Sequence, residues 1–360
     1  MAEMTKVPKG LDRVVVDTTS ISAVEDGAGL VYRGYSAIDL AQRASFEKTA
    51  FLVFHGKLPS DKELAEFSAS LRKNSALGTN VEKMMALLPK DTDMMDLVRT
   101  VISAVPTTGK KNDEILMELS AKFPRIISDG YRALKGQQPL PDIDGTYSER
   151  LYYLLTGRQD SASAKYLEKL LILYMEHEFN ASTWALRVTA STLADPRAAM
   201  TTGMATLKGP LHGGANEEIL SYMFSIKSKE EAERWVDEKI AKKEKIMGFG
   251  HRVYKTEDPR AQLVKRELKT LAAAKGATQA YEAAVAIEAA VWAKKKLPAN
   301  LDFYGALYMH LLGIDNDLFT PLFAASRAFG WSAHYMEQVT NNKLIRPDAE
   351  YVGANGLKLP

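Results

Sequence analysis

The chain has 360 residues, which is enough to bury a substantial core in one large domain or in two unequal ones. Its formal net charge is +2, a balance too near neutral to favour a nucleic-acid-binding protein. The complete lack of cysteine excludes a disulfide framework, a thiolate nucleophile and thiolate metal ligands. The polar N-terminus has no apolar signal stretch and no apolar run reaches about 18 residues, so the sequence predicts a cytoplasmic protein without a membrane span.

Only residues 13–35 have the character of β-strands. Val14, Val15 and Val16 are β-branched, a turn is expected at Asp26-Gly27, and an apolar run follows at residues 30–32. This order predicts a small N-terminal β-hairpin. From Ser36 onward the apolar residues recur at helical spacing, so the sequence predicts an all-α fold apart from the hairpin.

Helical periods, caps and breakers predict a long succession of helices. Helical spacing continues from Ser36 to the breaker Pro59, and the later helices are expected over 61–72, 92–105, 113–134 with an interruption at Pro124, 148–156, 163–174, 181–193, 196–207, from about 215, 228–243, 258–276, 278–296, 302–312 and 317–339. After the glycine-rich loop at 209–214 the helices become richer in charge and alanine. This change predicts two lobes: a large one formed by 1–212 plus 309–360, and a small one formed by 213–308.

Several familiar motifs are missing. Gly248-x-Gly250 is followed by Val253 where a dinucleotide-binding fingerprint needs glycine, and no phosphate-binding P-loop occurs. His177-Glu178 lacks the second histidine of a zinc protease, and no serine-hydrolase elbow exists. No metal site is therefore predicted.

Three residues are candidates for acid/base chemistry. His212 lies between Pro210 and two glycines, and a helix beginning near Ala215 would disfavour its protonated form. His251 is presented by a glycine-flanked turn, and Asp302 stands at a predicted helix start. Each has a purely structural alternative: a loop histidine, a turn histidine and a helix N-cap, respectively.

Three arginines stand in unusual places. Arg260 occupies the first turn of a predicted helix, where a cation is unfavourable unless an anion lies nearby. Arg327 falls in an otherwise apolar helix, where a bound carboxylate or a structural ion pair would explain it. Arg346 precedes a proline near the C-terminus, and its local sequence does not explain an arginine at this position. The neighbouring basic runs at 239–245 and 294–296 are placed to meet phosphates or solvent.

Taken together, these motifs resemble the citrate synthase family, in its short dimeric type. The resemblance runs from Gly29 to Gly353 and is carried by His177-Glu-Phe-Asn-Ala-Ser-Thr, Gly-Pro-Leu-His212-Gly-Gly-Ala-Asn-Glu, Gly-Phe-Gly-His251-Arg-Val-Tyr-Lys-Thr, Asp-Pro-Arg260, Asn-Leu-Asp302 and Ser-Arg327-Ala. It implies a helical fold of two domains that close over the substrates. It also implies an acyltransferase of the tricarboxylic acid cycle that uses no cofactor, since acetyl-CoA is its substrate.

The resemblance assigns roles to the candidate residues. Asp302 would remove a methyl proton from acetyl-CoA, His212 would stabilise the resulting enolate, and His251 would polarise the ketone of oxaloacetate. The family's oxaloacetate and citrate ligands correspond to His177, Arg260 and Arg327, with Arg346 supplied by the partner subunit of a homodimer. The family's CoA contacts correspond to Met247, Gly248, Phe249, Gly250, Lys255 and Asn300.

Two alternatives remain open from the sequence. A 2-methylcitrate synthase would use propionyl-CoA with the same residues, since the distinction depends on room for one methyl group, and the dipeptide Phe179-Asn180 is a weak indication of it. A non-catalytic acyl-CoA-binding protein on the same scaffold would be marked by loss of one of the three acid/base residues, and none is lost.

Overall fold

The computed structural model describes residues 6–11, 13–25, 29–213, 216–251 and 253–359, without the side chains of 216–218. Within these residues it contains sixteen α-helices, one short 3₁₀-helix and one small antiparallel sheet. The predicted all-α fold with a small N-terminal β element is therefore confirmed. No helix in these ranges is both long and apolar enough to cross a membrane.

The elements follow the chain in simple order. The strands and helices are β1 Ser22–Glu25, β2 Gly29–Tyr32, β3 Tyr35–Ser36, α1 Ala37–Arg43, α2 Phe46–His55, α3 Asp61–Lys73, α4 Thr79–Leu87, α5 Met94–Ala104, α6 Asn112–Leu134, α7 Tyr147–Thr156, α8 Ser161–Tyr174, α9 Ala181–Ser191, α10 Pro196–Leu207, α11 Asn216–Ser225, α12 Lys229–Ala241, α13 Pro259–Ala274, α14 Thr278–Lys295, α15 Leu301–Leu311 and α16 Phe319–Thr340. Asn316–Leu318 forms the 3₁₀-helix just before α16.

The first strand of the hairpin differs from its prediction. The expected strand at Val14–Val16 is not formed, and Val15 is 88% exposed. Instead β1 pairs with β2 in the register Ser22 with Tyr32 and Glu25 with Gly29. A run of β-branched residues forms a strand only where a partner strand is available. In a hairpin the partner of β2 is the segment that directly precedes it in the chain, which is 22–25 and not 14–16. The predicted turn residues Asp26 and Gly27 lie outside the described residues.

The sheet holds the segment that follows α8. The Tyr32 hydroxyl donates to the main-chain oxygen of Glu176 at 3.1 Å, and the Ser22 hydroxyl accepts from the Glu178 N–H at 2.8 Å. The Glu178 side chain in turn accepts from the Val24 N–H at 2.8 Å. Glu178 has a left-handed backbone with φ +50°, a strained conformation for this residue type, which these bonds stabilise.

The sheet also reaches the small group of later helices. A Cβ placed on Gly29 would lie 3.2 Å from Cγ of Pro259, so β2 packs against the first residue of α13. One small sheet thus touches both the turn after α8 and the start of α13.

Two helices differ from the sequence prediction. The predicted interruption at Pro124 is wrong, because α6 runs unbroken from Asn112 to Leu134. Proline removes one internal hydrogen bond, but the fully buried Phe123, Ile126 and Ile127 around it keep the helix packed. Helix α4 was missed: it follows Gly78 and has no side-chain hydrogen bond at its N-cap, so the sequence carries no start signal.

Helix α16 forms the centre of the larger group of helices. It packs against α2, α5, α6, α8, α9 and α10, and most of its residues are buried. Helices α11 to α15 pack chiefly on one another. The lobe boundaries at 213 and 308 stay a prediction; position 308 falls within α15.

One prediction concerns the contact between α16 and the turn after α8. Gly330 has no room for a side chain, because a Cβ there would overlap the main-chain oxygen of Met175 and Oε2 of Glu176. An alanine would stabilise an ordinary helix by about 1 kcal/mol. Here Gly330→Ala is expected to lower the free energy of unfolding by about 1–3 kcal/mol through overpacking. Urea unfolding followed by circular dichroism measures this, and an increased midpoint would contradict the close contact.

Candidate active site

A short main-chain pairing brings two candidate segments together. Phe249 forms an antiparallel bridge with Ala299, the Gly250 N–H donates to the Pro298 oxygen at 2.8 Å, and the Asn300 N–H donates to the Gly248 oxygen at 2.9 Å. Gly248 makes the approach possible: its φ is +84°, and a Cβ would lie 2.9 Å from Cβ of Phe303. The loop that carries His251 is thereby fixed beside the start of α15.

Asp302 is not the cap of its helix. Asn300 caps α15, since its Oδ1 accepts from the Asp302 N–H at 3.2 Å. The N-cap alternative for Asp302 is therefore wrong, and its carboxylate is left for another role. That carboxylate accepts a hydrogen bond from the Tyr174 hydroxyl at 3.0 Å. Burial raises the pKa of Asp302, while the bond from Tyr174 opposes the rise.

The ring of His251 is held in one tautomer. Its Nδ1 accepts hydrogen bonds from the Val253 and Tyr254 N–H groups, both at 3.1 Å. Burial, followed by the charge of Arg260, lowers its pKa to about 4, so the ring is neutral at pH 7. A neutral imidazole with an accepting Nδ1 carries its proton on Nε2. That nitrogen lies 3.4 Å from Nη2 of Arg260, so two donors face the same space.

The anion expected near Arg260 is Asp258. This residue caps α13, and its carboxylate accepts from Nε and Nη2 of Arg260 at 3.0 and 2.8 Å. Both side chains are buried. The pair offsets the unfavourable position of a cation at a helix N-terminus and fixes the guanidinium toward His251.

Two further polar groups lie beside the His251 ring. The His177 ring centroid is 5.0 Å from that of His251, and the Tyr254 centroid is 4.6 Å from it. Nε2 of His177 and the Tyr254 hydroxyl are buried, and neither has a hydrogen-bond partner in the described part of the chain. Burial, then the charge of Arg260, lowers the pKa of His177 well below its ordinary value. Buried polar groups without partners are rare and indicate a ligand that completes them.

Arg327 has the same incomplete character. It is 2% exposed, its Nε donates to the Tyr174 oxygen at 2.9 Å, and its guanidinium stacks 4.7 Å from the Phe323 ring centre. Its Nη1 is buried without a hydrogen-bond partner, and within the described ranges no carboxylate forms a direct ion pair with it, although the Glu176 carboxylate acts on it through space. The structural ion pair is therefore not formed, and a buried, unpaired guanidinium favours an anionic ligand.

His212 is anchored to the start of α9. Its Nε2 accepts from the Ser182 N–H at 3.3 Å and lies 2.9 Å from the Ser182 hydroxyl. Burial, followed by the charge of Arg327, lowers its pKa to about 4. The expected neutral state thus has its cause in burial and a nearby cation. The helix end invoked from the sequence, at Gly214-Ala215, lies outside the described residues.

A cleft of about 530 Å³ opens onto this region. It is lined by His212 and Asp302 and by five of the six predicted CoA contacts, namely Met247, Gly248, Phe249, Gly250 and Asn300. Three lysines of the basic runs at 239–245 and 294–296 also line it: Lys243, Lys245 and Lys295, called here the cleft lysines. The sixth predicted contact, Lys255, instead donates to the His251 oxygen at 3.3 Å.

Two remaining residues, Arg346 and Phe179, lie apart from this cluster. The Arg346 side chain is 73% exposed and pairs with Asp348 at 2.6 Å. Phe179 stacks on Arg187 and lies beside Trp184, so its described contacts are structural. Arg252 lies outside the described residues.

Sequence reasoning missed four supporting side chains: Ser182, Tyr174, Tyr254 and Asp258. Ser182 and Tyr254 lie within the quoted motifs, and Asp258 was placed at a predicted helix start but was not connected with Arg260. Tyr174 had no such signal, because its contact with Asp302 joins residues 128 positions apart.

The arrangement combines a carboxylate with neutral imidazoles and fixed cations. Asp302 can accept a proton, the neutral rings of His212 and His251 can donate hydrogen bonds, and Arg327 can bind a carboxylate. Such a set is suited to removing a proton from a weak carbon acid and stabilising the oxyanions that form.

Comparison with known proteins agrees with this geometry. The family model described as citrate synthase, C-terminal domain, matches residues 10–348. Citrate synthase 2 of Bacillus subtilis is 42% identical, covering 97% of each chain, and 2-methylcitrate synthase of Shewanella oneidensis is 40% identical, covering 95% of this chain and 93% of its own.

A solved structure shares the whole fold. The ternary complex of carboxymethyl coenzyme A and oxaloacetate with citrate synthase of Thermoplasma acidophilum superposes with a TM-score of 0.92 at 32% identity, covering 99% of this chain and 98% of its own. The chain therefore belongs to the citrate synthase family and is an acyltransferase.

Proposed function

We propose that the protein condenses acetyl-CoA with oxaloacetate and hydrolyses the resulting thioester to citrate and CoA. The observation that carries this proposal is a buried pair of polar atoms without partners, on His177 and Arg327, beside a carboxylate that lines an open cleft. A dicarboxylate would supply their partners, and an acyl thioester in the cleft would meet the base. The Thermoplasma acidophilum relative was solved with ligands of these two classes.

In the first step Asp302 removes a proton from the acetyl methyl group. A thioester methyl is a far weaker acid than a carboxyl group, so the base alone is insufficient. His212 supplies the additional stabilisation of the deprotonated thioester. Because its Nε2 accepts a hydrogen bond from Ser182, its neutral ring carries the proton on Nδ1. That N–H donates to the thioester oxygen and stabilises the enolate as negative charge develops there.

In the second step the enolate carbon attacks the ketone of oxaloacetate. The Nε2 proton of His251 and Nη2 of Arg260 face one point, where the ketone oxygen is bound. As the carbon–carbon bond forms, that oxygen takes the His251 Nε2 proton and becomes a hydroxyl, and the proton that Asp302 took from the methyl group returns through water to the His251 ring. Arg327 and His177 hold the carboxylates. Water then cleaves the citryl thioester, which releases CoA as a thiol.

Binding of CoA is assigned to the cleft. Residues 247–250 and Asn300 line this cleft and would contact the pantetheine arm, and the cleft lysines, which line it too, would bind the phosphates. Lys255, predicted from the sequence to meet a phosphate, lies beside the His251 oxygen, so its part in CoA binding stays a prediction.

The active unit is proposed to be a homodimer with Arg346 shared across the interface. The segment after α16 is extended, and its apolar residues are exposed: Tyr351 by 74%, Val352 by 90% and Leu357 by 83%. An exposed apolar arm of this kind favours contact with a second copy. Such contact would carry Arg346 into the partner's oxaloacetate site.

A 2-methylcitrate synthase is the second candidate, since the relative from Shewanella oneidensis bears that name at 40% identity. Discrimination against one extra methyl group is worth only about 1–3 kcal/mol, so one site can serve both acyl-CoA substrates. A non-catalytic acyl-CoA-binding protein is disfavoured, because His212, His251 and Asp302 are all present. The proposed reaction uses no cofactor, and a cytoplasmic location stays a prediction of the sequence.

The reaction is tested by release of the CoA thiol. Acetyl-CoA with oxaloacetate is expected to release thiol only when both substrates are present. The kcat/KM values for propionyl-CoA and acetyl-CoA are expected to differ by no more than about 10–200-fold, which is the discrimination that one methylene group allows. Folded protein that releases no thiol with either acyl-CoA would refute the synthase proposal.

The proton-abstracting role is tested by Asp302→Asn. The amide keeps the bond from Tyr174 but cannot take a proton, so kcat is expected to fall about 10²–10⁴-fold. Oxaloacetate affinity, measured by calorimetry, should be largely retained. Asp317→Asn, at a half-exposed position on the 3₁₀-helix, is the matched control. A near-normal rate for Asp302→Asn would remove this residue from the mechanism.

Sharing of Arg346 is tested with mixed dimers. Arg346→Ala and Asp302→Asn are each expected to be inactive, but a mixed dimer would contain one site with both residues intact. Activity should therefore return when the differently tagged variants are unfolded and refolded together. Isolated heterodimers without activity would show that Arg346 does not act across the interface.

A further inference from the structure

Tyr174, the last residue of α8, contacts two parts of the proposed site at once. Its hydroxyl donates to the Asp302 carboxylate at 3.0 Å, and its main-chain oxygen accepts from Nε of Arg327 at 2.9 Å. Its ring packs on Phe323 with centroids 4.5 Å apart, and the side chain is almost fully buried. In the described part of the chain, Tyr174 is the one side chain that donates a hydrogen bond to this carboxylate.

The helix that carries Asp302 makes room for this hydroxyl. Gly305 lies one turn after Asp302, and a Cβ there would be 2.8 Å from the hydroxyl oxygen of Tyr174. Its φ is not in the left-handed region, so glycine is not required by the backbone. A glycine inside a helix costs about 1 kcal/mol relative to alanine. The absence of a side chain at Gly305 instead leaves room for the Tyr174 hydroxyl.

We propose that Tyr174 is a positioning residue for the general base: its hydroxyl orients the Asp302 carboxylate and keeps it ionised. This inference rests on the proposed function, in which Asp302 removes the methyl proton. A buried carboxylate without a donor would be protonated at higher pH, and its free oxygen would lack a fixed direction. The phenol leaves the second oxygen, Oδ2, for the substrate.

Other charged groups face Asp302 without replacing this bond. Asp258 and Arg260 lie at the start of α13, Arg327 lies on α16, and the cleft carries His212, Glu244 and the cleft lysines. The cations favour the ionised carboxylate through space, while Asp258 and burial oppose it. None of these groups donates a hydrogen bond to the carboxylate in the described ranges, so removal of one hydroxyl is a specific change.

The decisive variant is Tyr174→Phe. A hydrogen bond to a charged group is lost, which corresponds to a shift of about one to two pH units. The sign is fixed: the ionised form loses its donor, the pKa of Asp302 rises, and the acid limb of kcat moves to higher pH. Below that limb kcat should fall roughly 10–100-fold, while KM for oxaloacetate stays nearly unchanged. Tyr166→Phe, two turns earlier on α8, is the matched control.

A second variant reaches the same bond from the other side. Gly305→Ala should push the hydroxyl away and shift the acid limb in the same direction. In the Tyr174→Phe background no hydroxyl remains to be displaced, so Gly305→Ala should add little further shift. Strictly additive shifts would contradict the proposed contact, because independent sites add.

A direct readout separates this inference from the proposed reaction. The infrared band of the protonated Asp302 carboxyl, identified by its loss in Asp302→Asn, is titrated in wild-type protein and in both tyrosine variants. Its midpoint should rise in Tyr174→Phe and remain unchanged in Tyr166→Phe, whether or not thiol is released. An unchanged midpoint in folded Tyr174→Phe, or in Gly305→Ala if the former does not fold, would overturn the role of Tyr174. Absence of thiol release from wild-type protein would instead refute the proposed reaction.

Discussion

The pairing of residues 248–250 with 298–300 is the constraint on which the site depends. It joins the loop before His251 to the residues before Asp302 through main-chain hydrogen bonds. Gly248 permits it by adopting a positive φ against Phe303. Because the same two segments also line the cleft, their separation sets both the width of the cleft and the place of the Asp302 carboxylate.

Electrostatics divides the site into two parts. Burial and neighbouring guanidinium groups keep His177, His212 and His251 neutral, so these rings act as hydrogen-bond donors and acceptors. Beside the three rings the fixed positive charge is that of Arg260 and Arg327, and arginine cannot lose its proton. Arg260 is neutralised by Asp258, whereas Arg327 is left unpaired in the described ranges. An anionic substrate is therefore the natural counter-ion of Arg327.

The helices that the sequence predicted correctly are those whose ends are determined by neighbouring residues. Caps and breakers located most helices, as at Ser60, Asp195 and Asp258, because those signals act within one turn. The hairpin strand and the continuity of α6 at Pro124 depend on partners far along the chain, so local propensity misled. Asp302 was identified by its motif, but its partner Tyr174 became visible only in three dimensions, where α8 meets α15.

The small sheet has a consequence for how the molecule can be divided. The Ser22 hydroxyl and the Val24 N–H form hydrogen bonds with Glu178, next to His177, and stabilise its strained backbone. Gly29 of the same sheet packs against Pro259, which precedes Arg260. The sheet supplies none of the proposed oxaloacetate ligands, yet it supports two of them, His177 and Arg260. A fragment made of the helices alone would keep every candidate catalytic group and lose the support that aligns these two. The N-terminal limit of the functional unit is thus set by a scaffold of three short strands.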